Sequence, residues 1–222
     1  MRARRRVGAI ALIAAALVAG ALLLGRGRGG EDHGRRCPDA KAASRAADLG
    51  GRTVTAIDLD GRPMRCVNLE RSTVDGPVGS ANLSGANLHR ATLRDSAMTD
   101  VDLSGADLTL AVAHDAEFTG VKLVRADLGG ADLRGSTLTD VGLEQARLHK
   151  ANLHAVSFVR ADLHGADVRG ADLSSATLTD SNLRGARFSD ADLSGTTWVN
   201  VVCPDGVKST GGSCDGHLSP TG

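Results

Sequence analysis

From Leu83 onward, a large apolar residue returns at every fifth position. The series runs through Leu88, Leu103, Phe118, Leu138, Phe158 and Leu178 to Trp198, 24 consecutive units in which only Ala113 is small. Two residues before each member stands Ala in sixteen units, Val in four, Ser in three and Thr in one, so this second position tolerates only compact side chains. The residue between them is often Asp or Asn, as in Ala81-Asn82-Leu83 and Ala106-Asp107-Leu108. An α-helix turns every 3.6 residues and a strand alternates every two, so neither keeps an apolar residue on one side at a period of five. The predicted element is a short side of five residues, repeated along a solenoid.

Units reading Ala-(Asp/Asn)-Leu-x-x resemble the pentapeptide repeat family, over residues 81–200. The resemblance implies an all-β fold, a right-handed quadrilateral β-helix. Each unit makes one side, four make one coil, the central residue and the small residue point inward, and the other three positions face solvent. The chain supports four units per coil on its own account. Phe118, Phe158 and Trp198 are spaced by 40 residues, and Met98, Leu138 and Leu178 complete their column at 20. Thr99, Thr119, Thr139 and Thr179 follow that column one residue on. One side is therefore rich in β-branched residues and is expected to be the most strand-like. Six coils at ~4.8 Å each give a rod ~29 Å long, whose open ends need covers.

Residues 49–80 carry a weaker frame, Leu49, Val54, Leu59, Met64, Leu69 and Val74. It lies one residue out of phase with Val78 and Leu83, which predicts a one-residue deletion at Asp75-Gly76-Pro77. Arg52 and Arg62 stand where small residues stand elsewhere, so these coils are expected to be irregular. Residues 31–48 read as a linker and a short capping helix, with an Ala-rich stretch from Pro38 to Leu49 stopped by Gly50-Gly51. Residues 81–202 form the regular solenoid, and residues 203–222 a terminal loop and tail.

Residues 1–30 are of another kind. Eighteen uncharged residues, Val7 to Leu24, follow Arg2, Arg4, Arg5 and Arg6 and precede Arg26 and Arg28. Two readings stay open: a signal anchor with its N-terminus in the cytoplasm, or a signal peptide cleaved after Ala19-Gly20-Ala21. Both place the repeats outside the cytoplasm, single-pass at the cell membrane or secreted. Four cysteines suit that compartment as disulfides. Three pairings are open, and proximity along the chain favours Cys37 with Cys66 and Cys203 with Cys214, each tying down one end of the array.

Charge and composition exclude more than they assign. The formal net charge is zero, but residues 1–36 sum to +6 and residues 76–202 to −5. The basic block flanks an apolar run and is not a nucleic-acid arm. Aspartates are frequent, yet Asp107, Asp127, Arg147, Asp167 and Arg187 share one column in which charges partly alternate, a solvated ladder rather than a catalytic pair. His114 and His154 share a column two coils apart, too far for a common metal. No phosphate loop or nucleophile–base arrangement is present. These readings point to a protein with no catalytic residue, cofactor or metal, whose partner is an unidentified protein or envelope surface, with membrane contact through the N-terminal helix and no nucleic-acid contact. Two alternatives follow. The resemblance implies one, since some members mimic duplex DNA and act on gyrase. The other is the array of Thr137, Thr139, Thr177 and Thr179, which resembles ice- or surface-binding faces.

Overall fold

The computed structural model describes residues 47–55, 59, 64–209 and 212–218. Residues 1–46, and with them the apolar segment, Cys37 and most of the expected capping helix, lie outside the described residues. So do Arg62 and the final tail.

The chain is an all-β parallel solenoid of about seven turns. Its strands are short: β1 (Thr53–Thr55), β2 (Thr73–Asp75), β3 (Val78–Gly79), β4 (Ala97–Thr99), β5 (Glu117–Thr119), β6 (Thr137–Thr139), β7 (Ser157–Val159), β8 (Thr177–Thr179) and β9 (Thr197–Val199). β1 and β2 pair as a two-stranded sheet, and β3 to β9 form one parallel sheet in chain order. Within that sheet each residue pairs with the residue 20 further on, as Phe118 with Leu138 and Leu138 with Phe158. Bridges such as Asp107↔Asp127 and Asp132↔Asn152 carry the same step on the other sides. The strand side is the one predicted from its β-branched residues, because Val and Thr hold few rotamers and suit an extended backbone.

The phase break falls where the frame shift predicts. Thr53 pairs with Thr73 at a step of 20, but Asn68 bridges Asn87 and Thr73 bridges Thr92 at a step of 19, and the step returns to 20 at Val78↔Met98. One coil is thus a residue short, between Thr73 and Val78. The N-terminal boundary needs correction. Ala47 and Asp48, expected in the capping helix, already belong to the first coil: the Asn68 N–H donates to the Ala47 carbonyl at 2.9 Å and the Leu49 N–H to the Asn68 carbonyl at 2.8 Å.

One unit shows how the backbone is satisfied. The Asp107 N–H donates to Ala86 in the coil before, at 2.9 Å, while Leu108 and Leu110 donate to Asp127 and Gly129 in the coil after, at 2.7 and 3.1 Å. Ala106 donates to Leu103 across the corner at 3.0 Å. The fifth N–H, on Thr109, would face outward unpaired, and it donates to the Asp107 Oδ1 at 3.0 Å. The same side-chain turn recurs at Asn82, Asp132, Asp162, Asp172 and Asp192. This is why Asp and Asn recur between the two inward residues: a short acceptor there closes an Asx turn on the residue two further on. The corner that follows is left-handed whatever residue occupies it, Gly130 at φ 64° and also Leu110 at 58° and Ala155 at 55°.

The core is a stack of Leu and Ala with the aromatic column through it. Leu83, Leu88, Leu103, Phe118, Leu138, Phe158, Leu178 and Trp198 are all buried. Where Ser replaces Ala inside, its hydroxyl is bonded, as Ser96 Oγ to the Leu93 carbonyl at 2.7 Å and Ser136 Oγ to Ala113 at 2.6 Å. At the C-terminal end the chain reverses and Val202 bridges Lys208 antiparallel. The Cys203–Cys214 disulfide closes this loop, and both sulfur-bearing residues are buried.

Candidate functional site

Every inward position is spent on packing, so any function must be carried by the outward ones. Those positions fall into four columns of sides, and charge is divided unevenly among them. Within residues 81–202, the two adjacent sides at 91–100 and its 20-residue repeats hold nine acidic and three basic residues, a sum of −6. The other two sides sum to +1. The mild acidity of the rod is therefore concentrated on one half of its circumference.

The more basic half contains the expected ladder. Arg147 Nη1 lies 3.7 Å from Asp127 Oδ2, and Arg187 Nη2 donates to Asp167 Oδ2 at 2.9 Å. Arg169 adds two bonds to the same Asp167 carboxylate, both at 2.7 Å. These guanidinium groups, Arg169 first and Arg187 behind it, hold the Asp167 carboxyl below the usual aspartate value. Among the histidines, His89 Nδ1 meets Thr109 Oγ1 at 2.7 Å, His114 Nδ1 meets Asp115 Oδ2 at 2.9 Å, and His154 Nδ1 meets Ser174 Oγ at 2.9 Å. Among the described residues no three His, Cys, Asp or Glu side chains are grouped as a metal ion requires.

The strand side is different. Over β6 to β9 its outward residues are Thr137, Thr139, Ser157, Val159, Thr177, Thr179, Thr197 and Val199, with no charge among them. Register places Thr137, Ser157, Thr177 and Thr197 in one column and Thr139, Val159, Thr179 and Val199 in the other. All four array threonines named from the sequence therefore share one face, with a Ser-x-Val coil between the two Thr-x-Thr coils. Glu117 ends the uncharged stretch one coil below Thr137.

The two edges of this face are unlike. One corner column is low, formed by Gly135, Ala155, Ser175 and Gly195. The other carries Asp140, Arg160, Asp180 and Asn200. Arg160 is doubly bonded to Asp140, Nε to Oδ1 and Nη2 to Oδ2, each at 2.7 Å. That pairing holds the Asp140 carboxyl below the usual aspartate value. Asn200 Nδ2 donates to Asp180 Oδ1 at 2.5 Å. The face is a shelf with one polar rim. The rim was legible only as spacing: Asp140, Arg160, Asp180 and Asn200 stand 20 apart, a signal hidden until the coil length is known.

The cysteines stand as follows. Cys203 and Cys214 are bonded to each other. Cys66 is in a disulfide, and Cys37, its expected partner, lies outside the described residues. Among the described residues no helix is long and apolar enough to cross a membrane.

Comparison with known proteins agrees with this architecture. Pentapeptide repeats, in eight copies, match residues 79–112, 116–154 and 157–195, just over half of the chain. No curated protein matches the sequence. Among solved structures, the chain is similar to HetL, a pentapeptide repeat protein involved in heterocyst differentiation regulation from Nostoc sp. Strain PCC 7120, at 24% identity over 73% of this chain and 89% of that one, with a TM-score of 0.24. It is similar to QnrB1, a plasmid-mediated fluoroquinolone resistance protein, at 22% identity over 68% and 88% of the two chains, with a TM-score of 0.30. A pentapeptide repeat protein from the Arabidopsis thaliana thylakoid lumen shares 28% identity over 50% and 66%, with a TM-score of 0.20. The chain belongs to the pentapeptide repeat family.

Proposed function

We propose that this protein is a non-enzymatic interaction scaffold, held or released outside the cytoplasm, whose partners dock on the flat outward sides. The observation that carries the reading is the division of labour within each unit. Inward side chains fill the core, the Asp or Asn caps the backbone, and what remains is a rigid, evenly spaced outer surface. Repeat ladders of this kind present extended surfaces rather than pockets. The Cys203–Cys214 bridge and the bonded Cys66 support an oxidising compartment, since such bonds are rare in the cytosol. The apolar segment at residues 7–24 supplies the route there. A DNA-mimicking role suits the surface less well, because the net negative charge is confined to one half, where the acidic residues are interleaved with Arg94, Arg134 and Arg160. The test is a C-terminal topology reporter together with crosslinking and capture from the envelope. A reporter active only outside the cytoplasm and a reproducible envelope partner are expected. A cytoplasmic C-terminus overturns the reading.

A further inference from the structure

We infer that the strand side over β6 to β9 is a binding shelf for a neutral, linear glycan, of the β-1,4-linked N-acetylglucosamine class, lying along the rod axis. The inference rests on the exported-scaffold reading and names a ligand for one of its sides.

Three observations carry it. The first is that the hydroxyls of Thr137, Thr139, Ser157, Thr177, Thr179 and Thr197 make no hydrogen bond within the described residues. Several hydroxyls on the other sides are engaged instead, as Thr109 to Asp107, Ser174 to Asp172 and Thr196 to Leu173. Threonine side chains are β-branched and hold few χ1 rotamers, so the five free threonine hydroxyls are restricted before a ligand arrives. The second is size. The uncharged face is about three extended residues wide and four coils long, a flat footprint of ~200 Å². A stable protein interface needs ~800 Å² from each partner. The shelf is too narrow for a globular partner and suits a ribbon. An extended β-1,4-linked chain advances by nearly the same step per sugar as the solenoid does per coil, so successive sugars meet successive coils. Each coil then offers a hydroxyl and a methyl group to the carbonyl and methyl of one acetamido group. The third is charge and rim. Over these four coils the two sides hold five acidic and two basic residues, a sum of −3, which disfavours phosphate-bearing polymers and nucleic acid. Asp140, Arg160, Asp180 and Asn200 line one edge with planar groups that retain spare donors and acceptors for ring hydroxyls. The opposite corner, Gly135 to Gly195, leaves the ribbon room to overhang.

The test uses the full-length protein with chitohexaose, cellohexaose and a lysine hexapeptide as probes, by calorimetry at low and high salt. The comparison variant is T137V/T139V/T177V/T179V, which keeps the shape and β-propensity and removes only hydroxyls. Its melting curve monitors folding. The expected result is binding of chitohexaose that is insensitive to salt and at least tenfold weaker in the variant, with an unchanged melt. Absence of chitohexaose binding by the wild type overturns the inference, as does equal binding by the folded variant. Preference for cellohexaose or the lysine peptide, or inhibition of ice growth without glycan binding, also overturns it. Each of these is scored in vitro, so a negative result leaves the topology and capture tests of the scaffold reading standing.

Discussion

Replacing Phe158 with Ala removes a ring from the middle of the aromatic column. Phe158 is fully buried, and register sets it between Leu138 in the coil before and Leu178 in the coil after. The column therefore alternates ring and aliphatic residue, Phe118, Leu138, Phe158, Leu178 and Trp198, which lets each ring settle over a branched neighbour. Both neighbours are already held by their own coils, so the site cannot collapse and the cavity remains. Burial losses of this kind cost about 3–5 kcal/mol for Phe to Ala, and the rigid ladder puts this site at the upper end. The exchange L138F/F158L keeps the total volume but stacks the ring at 138 directly on Phe118 in the coil before, and should cost about 1–3 kcal/mol. The assay is guanidinium unfolding followed by far-UV circular dichroism, with both ends of the transition fitted. A loss below 1 kcal/mol for Phe158→Ala would refute the shared inward column. So would an exchange variant as unstable as Phe158→Ala.

Other perturbations separate the remaining contributions. Asp172→Ala leaves the Ser174 N–H and hydroxyl without their acceptor, and should destabilise by about 1 kcal/mol in the same assay, whereas Asp172→Asn keeps the turn and most of the stability. Ala155→Gly relieves a left-handed corner and should raise stability by about 0.5–1 kcal/mol, the opposite sign from Gly130→Ala, whose new Cβ would press on Leu110. Opening the Cys203–Cys214 bridge by double Ser substitution releases a loop of 11 residues' separation and should cost about 3 kcal/mol, seen first as hydrogen exchange at β9. Because its folded pKa is lowered, Asp167 contributes stability that is complete above the unfolded aspartate value of ~3.9. That contribution is lost as pH falls through the lower folded value, so acid titration of D167N should show a shallower decline than the wild type.

Much of this fold could be read from residue order, and the reasons are geometric. A side of five residues forces one large and one small inward residue per unit, so Leu83 to Trp198 disclose the unit and Phe118, Phe158 and Trp198 disclose the coil. The short coil between Thr73 and Val78 was visible because a single deletion shifts the whole apolar frame. Other features depend on hydrogen bonds that periodicity does not encode. Asp107 and Asp127 read as members of a solvated ladder, and they prove to be backbone caps as well. Left-handed corners at Leu110, Ala155 and Arg160 were hidden because Gly alone signals positive φ in a sequence. Ala47 and Asp48 sit in a coil because Asn68 pairs with them, although their own composition favours a helix. The shelf could be named only in part. Its threonines were visible as repeats, but their freedom from internal bonds and the rim beside them emerge from the register of β6 to β9.

The central claim, a disulfide-tied scaffold outside the cytoplasm, is tested most directly by counting thiols in the protein as cells make it. Cells are quenched with an alkylating agent before any reductant is added, and the intact protein is weighed. The account predicts no alkyl group on any of Cys37, Cys66, Cys203 and Cys214, and four after reduction. Four alkyl groups without reduction would place the chain in a reducing compartment and contradict it.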